Sequence, residues 1–285
     1  MKPISDQEPA QDITQILTVL VKQRGLTDAD LAQVIELQRS QELTLADALV
    51  QLKLVTAADI QQAAHPQRRL VLEVVGTAPQ SLRFVREPLH AVSEQIRALR
   101  TELLRRQTGR GHSCIAILSS NADDGRSSLA AVLAMACAQL NQPTLLVDAD
   151  LRQPRQHELF GLPRGPGLAD SLDRGVPARV LGVRGFPHLA VLTAGAPVNN
   201  PQELLCSTPF AELMDSWRRS YRHVILDTTA AERGADAAAV ADTSGAALAL
   251  ARMHHTSLPA SAELLKRLRG TGVPLLGSVV LKAAL

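Results

Sequence analysis

Leu145-Leu146-Val147-Asp148-Ala149-Asp150-Leu151-Arg152-Gln153-Pro154-Arg155-Gln156-His157 is the stretch that decides how this chain folds. An apolar run ends in two acids one residue apart, and a basic segment broken by Pro154 follows. A continuous apolar run marks a strand buried on both faces, because a parallel sheet is covered by helices on each side. Such a strand delivers its terminal acids to the carboxyl edge of the sheet, where open α/β folds bind their ligands. Asp148 and Asp150 are therefore the first candidate site residues, with Arg152 beside them.

The same pattern extends in both directions. Apolar runs predict strands over 113–118, 143–148, 189–193, 223–227, 246–251 and 275–281. Helical periodicity predicts helices over 127–140, 209–220, 235–242 and 258–269. Strands alternating with helices give an α/β fold, a mostly parallel sheet with helices on both faces, over residues 91–285. Asp227 closes the run His223-Val224-Ile225-Leu226-Asp227 as Asp148 closes its own, so two strand ends present acids at one edge.

Residues 65–90 carry Pro66, Pro79 and Pro88 among scattered arginines and read as a linker with a short strand near 71–75. Residues 1–64 read as a small all-α domain. Within it, Leu20-Val21-Lys22-Gln23-Arg24-Gly25-Leu26-Thr27 aligns 29 positions on with Leu49-Val50-Gln51-Leu52-Lys53-Leu54-Val55-Thr56. Thr27 and Thr56 are placed to cap a following helix, and such paired helices bury their faces on one another.

Composition narrows the function classes. The 285 residues are 46% hydrophobic, enough for a sizeable core. A net charge of +2 and 2% aromatic residues argue against a nucleic-acid binder, which needs a basic field and stacking platforms. Cys114, Cys137 and Cys206 lack metal-ligand spacing and read as small buried hydrophobes in a reducing compartment. The polar first ten residues do not resemble a signal peptide, and no apolar run reaches the ~18 residues a membrane span needs. The expectation is a cytoplasmic protein that meets the inner membrane only through a partner.

After the strand at 113–118 comes Ser119-Ser120-Asn121-Ala122-Asp123-Asp124-Gly125-Arg126-Ser127-Ser128, then an alanine-rich helix. Strand, loop and helix in this order make a phosphate-binding loop, with backbone N–H groups and a helix N-terminus facing the anion. Against G-x-x-x-x-G-K-[ST], Ser120 holds the first glycine position, Gly125 the second, Arg126 the lysine and Ser127 the magnesium-binding hydroxyl. The Walker A pattern is thus degenerate. Guanidinium is broader than ammonium and not interchangeable with it, and Asp123 brings negative charge toward a polyanion. Two readings stay open: weakened nucleotide binding, or an inherited loop without a ligand.

Together these runs resemble the bacterial tyrosine kinases of exopolysaccharide biosynthesis, P-loop proteins of the MinD/ParA-like superfamily. Two further segments carry the likeness: Glu94-Gln95-Ile96-Arg97-Ala98-Leu99-Arg100 and Gly195-Ala196-Pro197-Val198-Asn199-Asn200-Pro201-Gln202-Glu203-Leu204-Leu205. The resemblance implies ATP and Mg²⁺ as cofactors, with Ser127, Asp148 and Asp227 as metal ligands. Ser120, Asp124, Gly125, Arg126, Ser127 and Ser128 would form the nucleotide loop; Arg126, Asp148, Asp150 and Asp227 would be the catalytic set. It further implies a homo-oligomer built through Glu94, Arg97 and Arg100, and an inner-membrane chain-length co-polymerase as partner.

Several positions depart from the family. Ala122-Asp123 replaces Pro-Gly, Thr229-Ala230 replaces Pro-Pro, and Lys282 stands where relatives carry an asparagine near the adenine. Tyr221 is the one tyrosine, it reads as a packing residue, and the sequence ends at Leu285 without the family's tyrosine-rich tail. The acceptor is therefore expected on another protein, with catalysis weak or lost. A pure scaffold (a pseudokinase) and a ParA/MinD-type positioning ATPase are the alternatives. The N-terminal segment resembles the N-terminal domain of type II secretion and pilus ATPases. That likeness makes cyclic di-GMP a candidate ligand, while the residues themselves read as a helical docking module.

Overall fold

The computed structural model describes residues 27, 30, 33–37, 45–52, 54, 73–87, 90–107 and 112–282. The chain divides into two units, Met1–Leu70 and Val71–Leu285. In the first, a helix spans Leu45–Gln51, and Val34, Ala48 and Leu49 are buried. Thr27 and Asp30 form the predicted cap: the Thr27 N–H and hydroxyl both donate to Asp30 Oδ2, and Asp30 N–H donates to Thr27 Oγ1. Thr56 and most of the repeat lie outside the described residues.

The second unit opens with β1 (Val74–Thr77), a 3-10 turn at Gln80–Arg86 and α1 (Ala91–Arg106). Next come β2 (Ser113–Ser119), α2 (Arg126–Ala138), β3 (Thr144–Asp148), α3 (Gln156–Leu159) and α4 (Leu168–Arg174). β4 (Val180–Arg184), β5 (Phe186–Leu192), α5 (Pro201–Leu205), α6 (Thr208–Ser220) and β6 (His223–Asp227) follow. α7 (Asp236–Ser244), β7 (Ala247–Arg252), α8 (Leu258–Thr271) and β8 (Leu275–Leu281) complete it.

The strands form one sheet in the order β1-β4-β5-β3-β6-β2-β7-β8. All neighbours are parallel except β4 and β5. All six predicted strands are present. Periodicity missed β4, a short run interrupted by Gly182 that folds back on β5 through Gly185 at φ +79°.

The stretch read as a linker is in part structural. Val74–Thr77 pairs with β4 as the sheet's edge strand, and Leu82 and Val85 are buried in the main core. Ahead of Ala91, β1 and the turn at Gln80–Arg86 thus already belong to the sheet and its core.

Helix α2 sits at the centre. Its run Leu129 to Ala138 is buried on every side, as expected of a helix apolar all round. Its alanines let it lie close to β2, β3, β5 and β6, and α1 packs against it from outside. This fixes the N-terminus of α2 directly beyond β2, with the loop Ser120 to Gly125 between them. Among the described residues, no helix is long and apolar enough to cross a membrane.

Candidate functional site

The sheet order brings the two acid-bearing strands together. β3 and β6 are neighbours in register, with Asp148 directly beside Asp227, and both side chains are fully buried. Adjacent strands lie ~4.8 Å apart, so two carboxylates here share one desolvated space. Burial first, then repulsion from Asp227, holds the Asp148 carboxyl well above the usual range. Asp227 is pushed up to about 6 by burial, against which Arg126, Gln156 and the Ser127 hydroxyl pull.

Each acid is held by one oxygen only. Asp148 Oδ2 accepts from the backbone N–H groups of Arg155 (3.1 Å) and Gln156 (2.9 Å). Asp227 Oδ2 accepts from Gln156 Nε2 at 2.8 Å. Asp148 Oδ1 and Asp227 Oδ1 are buried without a hydrogen-bond partner. Buried polar atoms are nearly always paired, so two orphaned carboxylate oxygens side by side suit a cation.

Among the described residues, no group of three or more His, Cys, Asp or Glu side chains gathers to hold a metal. Asp148, Asp227 and the Ser127 hydroxyl are the oxygens that could hold one. Such a sparse all-oxygen set fits Mg²⁺, which retains several waters and completes its shell with phosphate.

The loop from Ser119 to Ser128 behaves as its order predicted, with Gly125 at φ +103° turning the chain into α2. Among the described residues, no acceptor meets the backbone N–H groups of residues 123 to 128. They border a pocket of about 230 Å³, lined by Gly125, Arg126, Ser127, Ser128 and Asp150 together with Arg155 and Arg252. N–H groups without a partner at a helix start and the guanidinium groups of Arg155 and Arg252 suit an anion here.

Arg126 lines the pocket yet turns its guanidinium inward. Nε donates to the Thr228 carbonyl (2.8 Å), Nη1 to the Asn121 carbonyl (2.9 Å) and the Ser119 hydroxyl, and Nη2 lies 3.8 Å from Asp150. A lysine has no fork with which to join all of these. Asp150 in turn accepts from the Gln153 N–H (2.9 Å), the Arg152 N–H (3.2 Å) and the Thr229 hydroxyl (2.8 Å). Thr229 stands at a position expected to be proline, which would lack that donor.

Other predicted residues serve the frame. Asp124 is buried and faces away from the pocket: Oδ1 accepts from His255 Nδ1 (2.9 Å) and the Thr256 hydroxyl (2.6 Å), Oδ2 from the Asn121 N–H (3.0 Å). Burial raises its carboxyl, but these bonds outweigh burial and leave it below the usual value. It ties the loop to the segment after β7. Ser120 is buried with its hydroxyl unpartnered and does not line the pocket.

Arg152 grips Asp236 with Nε (2.6 Å) and Nη2 (3.1 Å), joining the β3 edge to the start of α7. The Glu94, Arg97 and Arg100 face is divided. Arg97 Nη2 bonds Glu94 Oε1 at 2.7 Å on the surface, whereas Arg100 Nη1 caps the Ala136 carbonyl of α2 at 2.7 Å. Arg100 is thus committed to its own subunit's core, because α1 lies flat on α2.

Several participants were not singled out in the sequence. Gln156 bridges Asp148, Asp227 and Ser127. Arg155 and Arg252 meet at Asp123, which sits at φ +58°: Arg252 Nη1 bonds its carbonyl at 3.2 Å and Arg155 Nη1 lies 3.8 Å from its carboxylate. Glu232 clasps the loop through Ala122 N–H (2.7 Å) and Asn121 Nδ2 (3.0 Å). Their signal was polarity close behind a strand end, which many solvated loop residues share. Tyr221 is buried and its hydroxyl pushed up to about 12 by burial, in keeping with a packing role. Cys114 and Cys137 are buried as expected, but Cys206 is exposed.

No family model matches the chain. EpsB of Ralstonia nicotianae is 33% identical over 188 residues, 65% of this chain and 25% of EpsB. The chimerical protein CapA2B2 superposes with a TM-score of 0.67 at 30% identity, covering 77% of this chain and 98% of the chimera. The kinase domain of the Escherichia coli tyrosine kinase ETK superposes with a TM-score of 0.66 at 26% identity, covering 75% of this chain and 93% of that domain. The chain belongs to the bacterial tyrosine-kinase family.

As a member of the bacterial tyrosine-kinase family, it spans about a quarter of the length of the curated relatives it matches first. The segment Gly195 to Leu205 now has a physical reason. Gly195, at φ +90°, lies against Gly167 and Asp170, and an added Cβ would come within 2.1 Å of Asp170 Oδ2. Asp170 staples the two loops by accepting from Gly167 N–H (2.8 Å) and Ala196 N–H (3.0 Å).

Proposed function

We propose that this chain is a tyrosine-kinase-like ATP-binding subunit of a bacterial exopolysaccharide export assembly, with phosphoryl transfer weakened. The observation that carries the reading is the pair of orphaned oxygens on Asp148 and Asp227, buried behind Ser127, which lines a pocket together with Asp123, Gly125, Arg126 and Ser128. The nucleotide phosphates would lie on the N–H groups of the loop, and Ser127, Asp148 and Asp227 would hold Mg²⁺. When bound, the metal would neutralise charge on the transferring phosphoryl group. Arg155 and Arg252 would add positive charge at the mouth, and Arg126 would brace the loop from beneath.

Weakened transfer follows from two residues. The Arg126 guanidinium is spent on Thr228, Asn121 and Ser119, so its charge is shared with the protein instead of the phosphates. Asp123 holds a carboxylate at the mouth of a polyanion site. The buried Tyr221 favours an acceptor tyrosine on another protein. The partner would be an inner-membrane chain-length co-polymerase, which would place the chain at the cytoplasmic face of that membrane. Self-association would use the Glu94 and Arg97 part of α1.

Calorimetric titration of ATP and ADP, with and without Mg²⁺, tests the reading. Mg²⁺-dependent binding by the wild type, abolished in Asp148→Ala, is the expected result. Absence of binding, with affinity appearing in Arg126→Lys, would make the protein a scaffold that keeps the fold for its partners. Export unchanged by Arg126→Ala and Asp148→Ala would support that second reading.

A further inference from the structure

Gln156 is a neutral residue that bonds all three residues of the candidate metal site, Asp148 through its backbone N–H and Asp227 and the Ser127 carbonyl through its side chain. It begins α3, two residues beyond Pro154, and is completely buried. Its backbone N–H donates to Asp148 Oδ2 at 2.9 Å. Its Nε2 has two protons and uses both, one on Asp227 Oδ2 (2.8 Å) and one on the Ser127 carbonyl (3.0 Å). These bonds fix the amide's orientation, since a flipped amide would set Oε1 against two acceptors. They also link the end of β3, the end of β6 and the first turn of α2.

The amide oxygen is left over. Gln156 Oε1 is buried without a hydrogen-bond partner, as are Asp148 Oδ1 and Asp227 Oδ1. Gln156 thus bonds two neighbouring acids, and each of the three residues keeps one buried acceptor oxygen without a donor. A buried acceptor without a donor is costly, and three together are accounted for by a cation with donor waters around it.

We infer that Gln156 is the positioning residue of this site. Nε2 holds Asp227 Oδ2 and leaves Oδ1 available to a cation, and Oε1 would serve as an acceptor for the water such a cation brings. The inference rests on the Mg²⁺–nucleotide reading above and adds a part that neither the sequence nor the comparisons assign. Outer partners of metal ligands generally matter to metal affinity by ~10–100-fold.

The test compares ADP affinity with and without Mg²⁺ by calorimetry, in the wild type and in Gln156→Met, which matches the side chain's length without its polar atoms. The expected result is metal-free ADP affinity within about twofold of wild type, with the Mg²⁺ enhancement reduced at least ~10-fold. Equal enhancement in both proteins would overturn the role of Gln156 while leaving the nucleotide reading standing. If the wild type shows no Mg²⁺ enhancement, the nucleotide reading falls and this one with it.

Should Gln156→Met not fold, Gln156→Asn serves. It keeps an amide but draws it back from Asp227, so the rise of unfolding temperature on adding Mg²⁺ with ADP should be smaller than in the wild type. An equal rise would overturn the inference. A role in packing alone would lower the unfolding temperature without changing the response to metal.

Discussion

Replacing Asp227 by asparagine should make the metal-free protein more stable at neutral pH. The carboxyl titrates at about 6 in the fold against 3.8 for the free group, so the folded state holds its proton more tightly than the unfolded chain. Stability is therefore lost as pH rises through the window from about 4 to about 6, and remains lost above it. A shift of ~2 units corresponds to at most about 3 kcal/mol at pH 7.5. The amide introduced by Asp227→Asn cannot ionise and escapes that penalty. Its oxygen can keep the Gln156 bond, and its N–H can donate to the orphaned Asp148 Oδ1.

For a domain of this size each kcal/mol moves the unfolding temperature by ~2–4 °C. Calorimetric unfolding should show Asp227→Asn melting several degrees above the wild type at pH 7.5 without metal. At pH 4 the difference should vanish, and Mg²⁺ with ADP should favour the wild type. Equal midpoints at pH 7.5, or a variant destabilised by the same amount at both pH values, would show that burial does not hold the Asp227 carboxyl up as described.

Asp123→Gly removes the carboxylate at the pocket mouth and places glycine at a left-handed φ, so ADP should bind roughly 3–10-fold more tightly by calorimetry. Asp236 is fully buried and held by Arg152; Arg152→Ala strands it and should cost about 3 kcal/mol in urea unfolding, with an unchanged midpoint refuting the strut. Cys206 should react promptly with a thiol reagent. Cys137, its thiol pushed up to about 12 by burial, and Cys114 should react only on unfolding. Tyr221 should carry no phosphate after incubation with ATP and Mg²⁺, as read by mass spectrometry; modification in the folded protein would contradict its burial.

Patterning by itself determined the α/β class, the six central and far-edge strands and the strand–loop–helix order at Ser119 to Ser128, since an apolar run or a helical period is a local property of the chain. It also put Asp148, Asp150 and Asp227 at strand ends, because a strand's last residue is visible in one dimension. Strand order is not. That β6 lies beside β3, so that Asp148 and Asp227 share a buried space, arises from how α2 packs on the sheet. For the same reason Gln156, Arg155 and Arg252 looked like ordinary loop polarity until the edges of β3, β6 and β7 were assembled. The inward turn of Arg126 depends on carbonyls at Asn121 and Thr228, more than a hundred residues apart in the second case. Asp124 matched a motif position, yet its direction was set by His255 and Thr256 on another loop. The short reversed strand β4 likewise shows itself only in the sheet, between β5 and β1, the strand expected near 71–75, because its run is too short and too broken by Gly182 to mark a strand alone.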